Sequence, residues 1–278
     1  MQIYDDLGRT LLLNRTPERI ISVVPSLTEL LCDLELESKI VGRTKFCIHP
    51  KSYVSSIPKV GGTKNMNIKK IMSLNPNLIL ADKEENSKED IEALTSLTNV
   101  YVSDIRTIKN AIHTIQQIGT IHACDVRAAQ LIQEIEDGFN KIKQALHSKS
   151  QIRVCYLIWK EPYMTVGADT YIHDVLETVG FKNVFGMKQR YPIVTSIEIA
   201  EAFPDIIMLS TEPYPFKSKH RGEIVASIPY IKNRVVIIDG EMFSWYGSRM
   251  RKATIYLGDL YAKLKQGQIP VDGLMLPS

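Results

Sequence analysis

Seven aromatic rings gather in three short stretches of the second half of the chain: Trp159 and Tyr163, then Tyr214 and Phe216, then Phe243, Trp245 and Tyr246. Both tryptophans of the sequence are among them, and Lys160, Arg190 and Arg249 stand beside them. Rings offer wide flat surfaces for stacking, and guanidinium and ammonium groups hold carboxylates or phosphates, so the combination predicts a flat, partly anionic ligand. Trp159 and Trp245 are the expected contacts. About half of the rings are expected to cover the ends of a sheet instead, as large aromatics often do. In the first half, Arg43 and Lys64 add positive charge and Phe46 adds an aromatic surface. Glu212 supplies a carboxylate beside the second ring stretch.

Other chemistry is sparsely supported. The six histidines, His49, His113, His122, His147, His173 and His220, share no HxxxH or HExxH spacing. Most are expected at the surface or in caps, and His49, two residues after Cys47, is the one expected as an axial ligand to a metal. Cys32, Cys47, Cys124 and Cys155 form no CxxC pair, which argues against zinc or redox motifs and for free buried thiols. GGTK at Gly61–Lys64 lacks the spacing of a phosphate loop and is expected to be a turn. Ser26 sits at a strand-to-helix turn without a surrounding GxSxG, so helix capping accounts for it better than nucleophilic catalysis. No catalytic residue is assigned. The charged run from Glu84 to Asp90 is expected to be a solvated helix start.

The elements that must position these residues begin with RIISVVPSLTE, Arg19 to Glu29. An apolar strand runs into Pro25, and Ser26 and Glu29 have the spacing of a capping box. Met1 to Pro17 lacks a basic, then apolar, then small-residue leader, so the chain as written is expected in the cytoplasm. Removal of a leader would make it periplasmic or lipid-anchored. No run reaches the roughly 18 apolar residues of a membrane span. The 34 basic and 31 acidic residues are interspersed, which excludes a nucleic-acid footprint while leaving room for a local anion site.

A DLG turn predicts a β-hairpin at the start, after which strands and helices alternate as RIISVV, SLTELLCDLEL, KIVGR, MNIKKIMSLN, NLILA, SKEDIEALTSL and NVYVSD. From about Ile108 to His147 the pattern is helical, with Leu131, Ile135, Phe139 and Ile142 on one face and Gly119 expected to separate a shorter helix from a longer one. Alternation then restarts and repeats the first half: RVCYLIW stands for RIISVVP, IEIAEAFPDIIMLS for IKKIMSLNPNLILA, and RVVIIDG for NVYVSD. The predicted architecture is α/β, two similar parallel-sheet lobes joined by a long interdomain helix, with a ligand cleft between them. The expected boundaries are 1–107 for the first lobe, 108–148 for the linking segment, 149–265 for the second lobe and 266–278 for an extended tail. Ligands of such sheets bind beyond the strands' carboxyl ends. The expected site loops therefore hold Ser26, Arg43–Phe46, Gly61–Lys64 and Asp82–Glu85 in the first lobe. In the second they hold Trp159–Tyr163, Arg190–Pro192, Ser210–Phe216 and Glu241–Arg249.

The DLGR hairpin, RIISVVPSLTELL, VGR, the GG turn before MNIKKIMSLNPNLIL, the long helix and RYPIVTSIEIAEAFPDIIMLS together resemble the substrate-binding proteins of ABC transporters for cobalamin and ferric siderophores. The resemblance runs from about Tyr4 to Leu264. It implies a class III binding fold with a rigid helical backbone, a metal chelate such as cobalamin, haem or a ferric siderophore as ligand, and an ABC permease as partner. The chain departs from the family where a glutamate on each lobe meets permease arginines: Lys69 occupies the first position, and Ile197 and Glu198 fall at the second. Docking of the usual kind is therefore disfavoured. The expected function is a non-enzymatic metal-chelate binding protein. Two alternatives stay open: an enzyme on a chelatase-like fold using His49 or Glu212, and a sensor or scaffold that kept the fold.

Overall fold

A computed structural model of the chain describes residues 1–146 and 151–268. His147 and most of the expected tail lie outside the described residues. The chain divides into two compact units. The first comprises Met1–Ile105, Lys109–Gln133 and the short segment Trp245–Arg249; the second comprises Arg106–Ile108, Glu134–Ser244 and the chain from Met250 onward.

In the first unit a hairpin of β1 (Gln2–Tyr4) and β2 (Thr10–Leu12) precedes β3 (Ile20–Ser22), α1 (Pro25–Asp33), β4 (Ile40–Arg43), α2 (Lys51–Val54), α3 (Ile68–Ser73), β5 (Leu78–Asp82), α4 (Lys88–Thr95) and β6 (Val100–Ser103). The DLG turn forms as the sequence predicts. Asp5 accepts bonds from the Leu7 and Arg9 amides at 3.1 and 2.9 Å, while Gly8 takes the positive φ of 76° that favours glycine. The four later strands form a parallel sheet in the order β4-β3-β5-β6. Every residue of β3, β5 and β6 is buried, as expected of a parallel sheet covered on both faces.

Two expectations fail locally. Ser26 and Glu29 make no capping box: Val24 is the N-cap of α1 and Pro25 occupies its first turn, where the missing N–H is harmless and φ is already helical. Gly119 does not separate two helices. It lies inside α5 (Ile108–Ile121), and the chain turns at Ala123, φ 55°, before α6 (Asp125–Ala145). A Cβ on Gly119 would come within 2.5 Å of the Ala128 Cβ, so the glycine is there for close packing against the next helix. The apolar stripe of α6 is buried as predicted, including Leu131, Ile135, Phe139 and Ile142.

In the second unit follow β7 (Ile152–Trp159), β8 (Met164–Thr165), α7 (Tyr171–Thr178), β9 (Phe181–Asn183), α8 (Ser196–Glu201), β10 (Ile206–Ser210), α9 (Ser218–Ser227), β11 (Val235–Ile238), α10 (Glu241–Ser244) and α11 (Met250–Lys265). The parallel strands run β9-β7-β10-β11, the order of the first sheet, and β8 adds an antiparallel pairing at the carboxyl end of β7. The repeat extends to side chains. Arg19 donates to the carbonyls of Leu74 and Asn75, and Arg153 to those of Ala202 and Phe203. Asn75 and Phe203 both hold positive φ, 48° and 47°, just before a proline that opens the next strand. Asn77 and Asp205 then each accept from the amide of the corresponding arginine, at 3.1 and 2.8 Å.

Candidate functional site

Each unit brings expected residues to the carboxyl ends of its strands. In the first, Arg43 closes β4 and is almost wholly buried, its guanidinium donating to the carbonyls of Val54 at 2.6 Å and Thr44 at 3.1 Å. Phe46 follows, with 49% of its surface exposed and the Lys45 ammonium 4.9 Å from its ring centre. Gly61–Lys64 is a turn, as expected, with the Gly62 amide on the Asn65 carbonyl at 2.9 Å. Lys64 extends from it to the backbone carbonyls of Glu84 and Asn86. Ser87 caps α4, so Lys88–Asp90 are a helix start as expected, whereas Glu84–Asn86 form the turn before it, with the Glu84 and Glu85 amides on the Asp82 carboxylate.

The segment Trp245–Arg249 completes this face of the first unit. Arg249 donates Nε to Glu29 Oε2 at 2.7 Å and an NH2 nitrogen to Oε1 at 2.9 Å, a two-pronged pair in which both side chains are under 10% exposed. The same guanidinium lies 4.7 Å from the Trp245 ring, and the His49 ring meets Trp245 edge-on at 5.5 Å. Trp245, Tyr246 and Arg249 are therefore packed parts of this unit, each at most 9% exposed. Tyr246 lies by Asp82, and burial followed by that carboxylate's charge holds its phenol protonated. Asp82 accepts from the Glu84 amide at 2.8 Å and the Ser103 hydroxyl at 2.7 Å, yet burial outweighs these bonds and pushes its carboxyl up to about 6. Ser26, at the first turn of α1, is buried beneath the same group of residues.

In the second unit Trp159 ends β7 with 40% of its surface exposed. Tyr214 stands edge-on to it at 5.6 Å and packs at 4.8 Å against Phe216. Phe216 is buried in the core of this unit beneath Tyr214 and half-buried Tyr163. His220, which the sequence offers only as a generic cap, fixes this corner. Its Nδ1 accepts from the Lys217 amide at 2.9 Å, which leaves the Nε2 hydrogen for the Tyr214 hydroxyl at 3.3 Å. Burial lowers its affinity for a further proton. Lys160 pairs with Glu223 and, at 3.2 Å, with Glu161. Glu212 accepts from the Ser244 hydroxyl. Arg190 is held at φ 59° against Asp169, a pairing no spacing in the sequence announces.

Lys69 is exposed, Ile197 is 68% exposed, and Glu198 closes a capping box with Thr195 while reaching Lys188 at 3.1 Å. Among the described residues no group of three or more His, Cys, Asp or Glu side chains is disposed to hold a metal ion, and no helix is long and apolar enough to cross a membrane.

Comparison with known proteins agrees with this architecture. The chain is 26% identical over 258 residues to the ABC transporter substrate-binding lipoprotein YvrC of Bacillus subtilis, covering 89% of this chain and 81% of that protein. The fold superposes on the periplasmic vitamin B12 binding protein BtuF of Vibrio cholerae with a TM-score of 0.77 at 21% identity, covering 91% of this chain and 99% of that one. It superposes on the periplasmic heme-binding protein RhuT of Roseiflexus with a TM-score of 0.76 at 17% identity, over 90% and 99% of the two chains. The periplasmic binding protein family matches residues 20–241, nearly the whole of both sheets, and the chain belongs to that family.

Proposed function

We propose that the protein is a binding protein for a metal chelate of the corrinoid, haem or ferric siderophore class, serving an ABC transporter. The observation that carries this reading is the Trp159–Tyr214 corner. It offers a half-exposed indole at a strand's carboxyl end, braced from behind by Tyr214, Phe216 and His220, as a stacking surface for a flat ligand. Tyr163 and Glu212 would border the ligand, and Lys160 and Arg190 would meet its acidic groups. On the first unit, taken by itself, exposed Phe46 with Lys45, and Lys64, are the candidate binding residues. Buried Arg43, Phe216, Trp245, Tyr246 and Arg249 would support these surfaces, and His49, against Trp245, is the candidate axial ligand. The relatives whose names state a ligand, vitamin B12 or heme, support the chelate class. The transporter relatives support partnership with a permease, and Lys69 with the paired Glu198 would make its contacts differ from a paired-glutamate scheme.

Tryptophan fluorescence during titration with cobalamin, haem and ferric siderophores tests this reading. Saturable quenching by one chelate is expected, lost in Trp159→Ala and kept in Trp245→Phe. Flat titrations across the panel would refute it.

A further inference from the structure

At the amino ends of the parallel strands of the first unit the chain leaves a cavity of about 160 Å³. Leu13 and Pro17 give it an apolar lining, while Asn14 and Arg15, from the segment that leads to β3, Asn77, just before β5, and Asn99, just before β6, give it a polar one. All of these residues belong to the first unit. The volume corresponds to about five water molecules at the density of the liquid. Pockets that enclose drug-sized ligands start at about 300 Å³, so a corrin or porphyrin does not fit here, whereas a small organic acid does. The carboxyl-end loops that hold Phe46 and Lys64 lie at the other end of the same strands.

The walls are fixed by bonds that do not use the polar side chains at the cavity. The Arg19 amide donates to Asn77 Oδ1 at 3.1 Å, and the Asn77 amide to the Arg19 carbonyl at 2.9 Å. The Ile79 amide donates to the Asn99 carbonyl at 2.9 Å, and the Thr98 hydroxyl to the Pro76 carbonyl at 3.2 Å. Leu13 and Met1 exchange two bonds, of 2.9 and 2.7 Å. Among the described residues, by contrast, no hydrogen bond or ion pair engages the Arg15 guanidinium or the side-chain amides of Asn14 and Asn99, and Asn77 keeps its Nδ2 hydrogens. No acidic residue lines the cavity, and the carboxylate of nearby Glu18 is paired with Lys39 at 3.0 Å. The Arg19 guanidinium is spent on the Leu74 and Asn75 carbonyls. Arg15 alone therefore sets the charge of the cavity. An exposed arginine by itself is a solvated cation, but one that shares a cavity with three uncommitted amides, on walls already tied together, belongs to a preorganised set of donors and acceptors.

We propose that this cavity is a binding site for a small hydroxy- or amino-carboxylate anion. The Arg15 guanidinium takes the carboxylate, for which its planar fork is suited, and Asn77 Nδ2 donates to the same group. Asn14 and Asn99 each offer a carbonyl oxygen as well as an NH2 group, so they exchange bonds with a hydroxyl or ammonium on the neighbouring carbon. Leu13 and Pro17 cover the carbon chain. The amide oxygens give the site its selectivity, since an anion with no hydrogen to donate leaves them unsatisfied as it displaces their water. This inference goes beyond the chelate-binding reading and does not depend on it.

The test follows the arginine Nε–Hε and asparagine Nδ2 resonances of the full chain during titration with L-malate, L-aspartate, succinate and sulfate. Malate and aspartate share the carbon skeleton of succinate and add a hydroxyl or an ammonium, and sulfate supplies charge alone. Saturable shifts are expected with malate or aspartate, at one arginine signal that is missing from Arg15→Gln and at an amide signal that is missing from Asn99→Ala. Succinate should bind severalfold more weakly and sulfate should not saturate. Arg15→Gln should weaken binding of the preferred acid about tenfold, the size expected for loss of a charged hydrogen bond. Asn99→Ala should bring that acid down to the affinity of succinate while leaving succinate itself unchanged. Shifts that rise in proportion to concentration and alike for all four anions would mean simple screening of an exposed arginine and would overturn the proposal. So would saturable binding that Arg15→Gln leaves intact, which would place the anion elsewhere, or equal affinities for succinate and the two substituted acids, which would remove the amides from the site.

Discussion

Replacing Arg249 with Met keeps the aliphatic stem and removes the guanidinium, leaving the Glu29 carboxylate without two bonds of 2.7 and 2.9 Å at a position where the carboxylate side chain is 8% exposed. A buried charge deprived of its partner costs about 3–5 kcal/mol, whereas exchanging the whole pair for apolar residues is often neutral. The cation–π contact to Trp245, 4.7 Å from the ring, adds about 0.5–2 kcal/mol. Arg249→Met should therefore lower stability by about 4 kcal/mol, and Glu29→Leu with Arg249→Met should return to within about 1 kcal/mol of the parent, because the desolvation penalty is removed with the charge. Denaturant unfolding of a Trp159→Phe parent, in which Trp245 is the sole indole emitter, measures the loss in the unit that holds the pair. A loss below about 1 kcal/mol in the single variant, or a double variant that loses the sum of the two singles, would refute the account of a desolvated, coupled pair.

Two titrating groups of the first unit act in opposite senses on stability. Asp82 binds its proton more tightly when folded, with its carboxyl raised from 3.8 to about 6, so its favourable contribution is complete below 3.8 and is lost as pH rises through about 6. Asp82→Asn should therefore stabilise by up to about 3 kcal/mol above about pH 7 and by little in acid; a stability–pH curve parallel to that of the parent would show the carboxylate to be solvated. His122, 5% exposed, is pushed down from 6.5 to about 4 by burial, so its contribution is complete above 6.5 and is lost as pH falls through about 4. His122→Phe should flatten the acid limb of the curve, and an unchanged limb would exclude His122 as its source. In the second unit, Gly138→Ala would set a Cβ 2.3 Å from the Thr254 hydroxyl and should cost about 1–3 kcal/mol in a thermal or denaturant melt; an unaltered midpoint would mean that α6 and α11 pack more loosely than described.

The fold was legible because its signals are local and occur twice. Apolar runs of β-branched residues mark strands buried on both faces, three- and four-residue spacing marks α6, and a proline after a left-handed residue marks each entry into β5 and β10. The repeat itself, visible as RIISVVP and RVCYLIW, corresponds to identical strand orders and to matching contacts of Arg19 and Arg153. The sequence by itself also determined the turn nature of GGTK and the gathering of rings near strand ends, since glycine, proline and stacking residues act over a few positions.

What only the tertiary structure decided depends on partners far along the chain. Glu29 has the spacing of a capping residue, but its carboxylate is taken by Arg249, 220 residues away, because a buried guanidinium binds it more strongly than the free amides of a helix start. Trp159 and Trp245 are indistinguishable as letters; one remains 40% exposed at the end of β7, while the other is closed between Arg249 and His49 in a segment that belongs to the first unit. Arg106, Asp169 and Arg190 share no motif at all, and their juxtaposition comes from two left-handed residues locking together across a backbone pairing. Local sequence chooses which conformations a segment prefers, whereas burial and charge pairing are settled when distant segments compete for the same space.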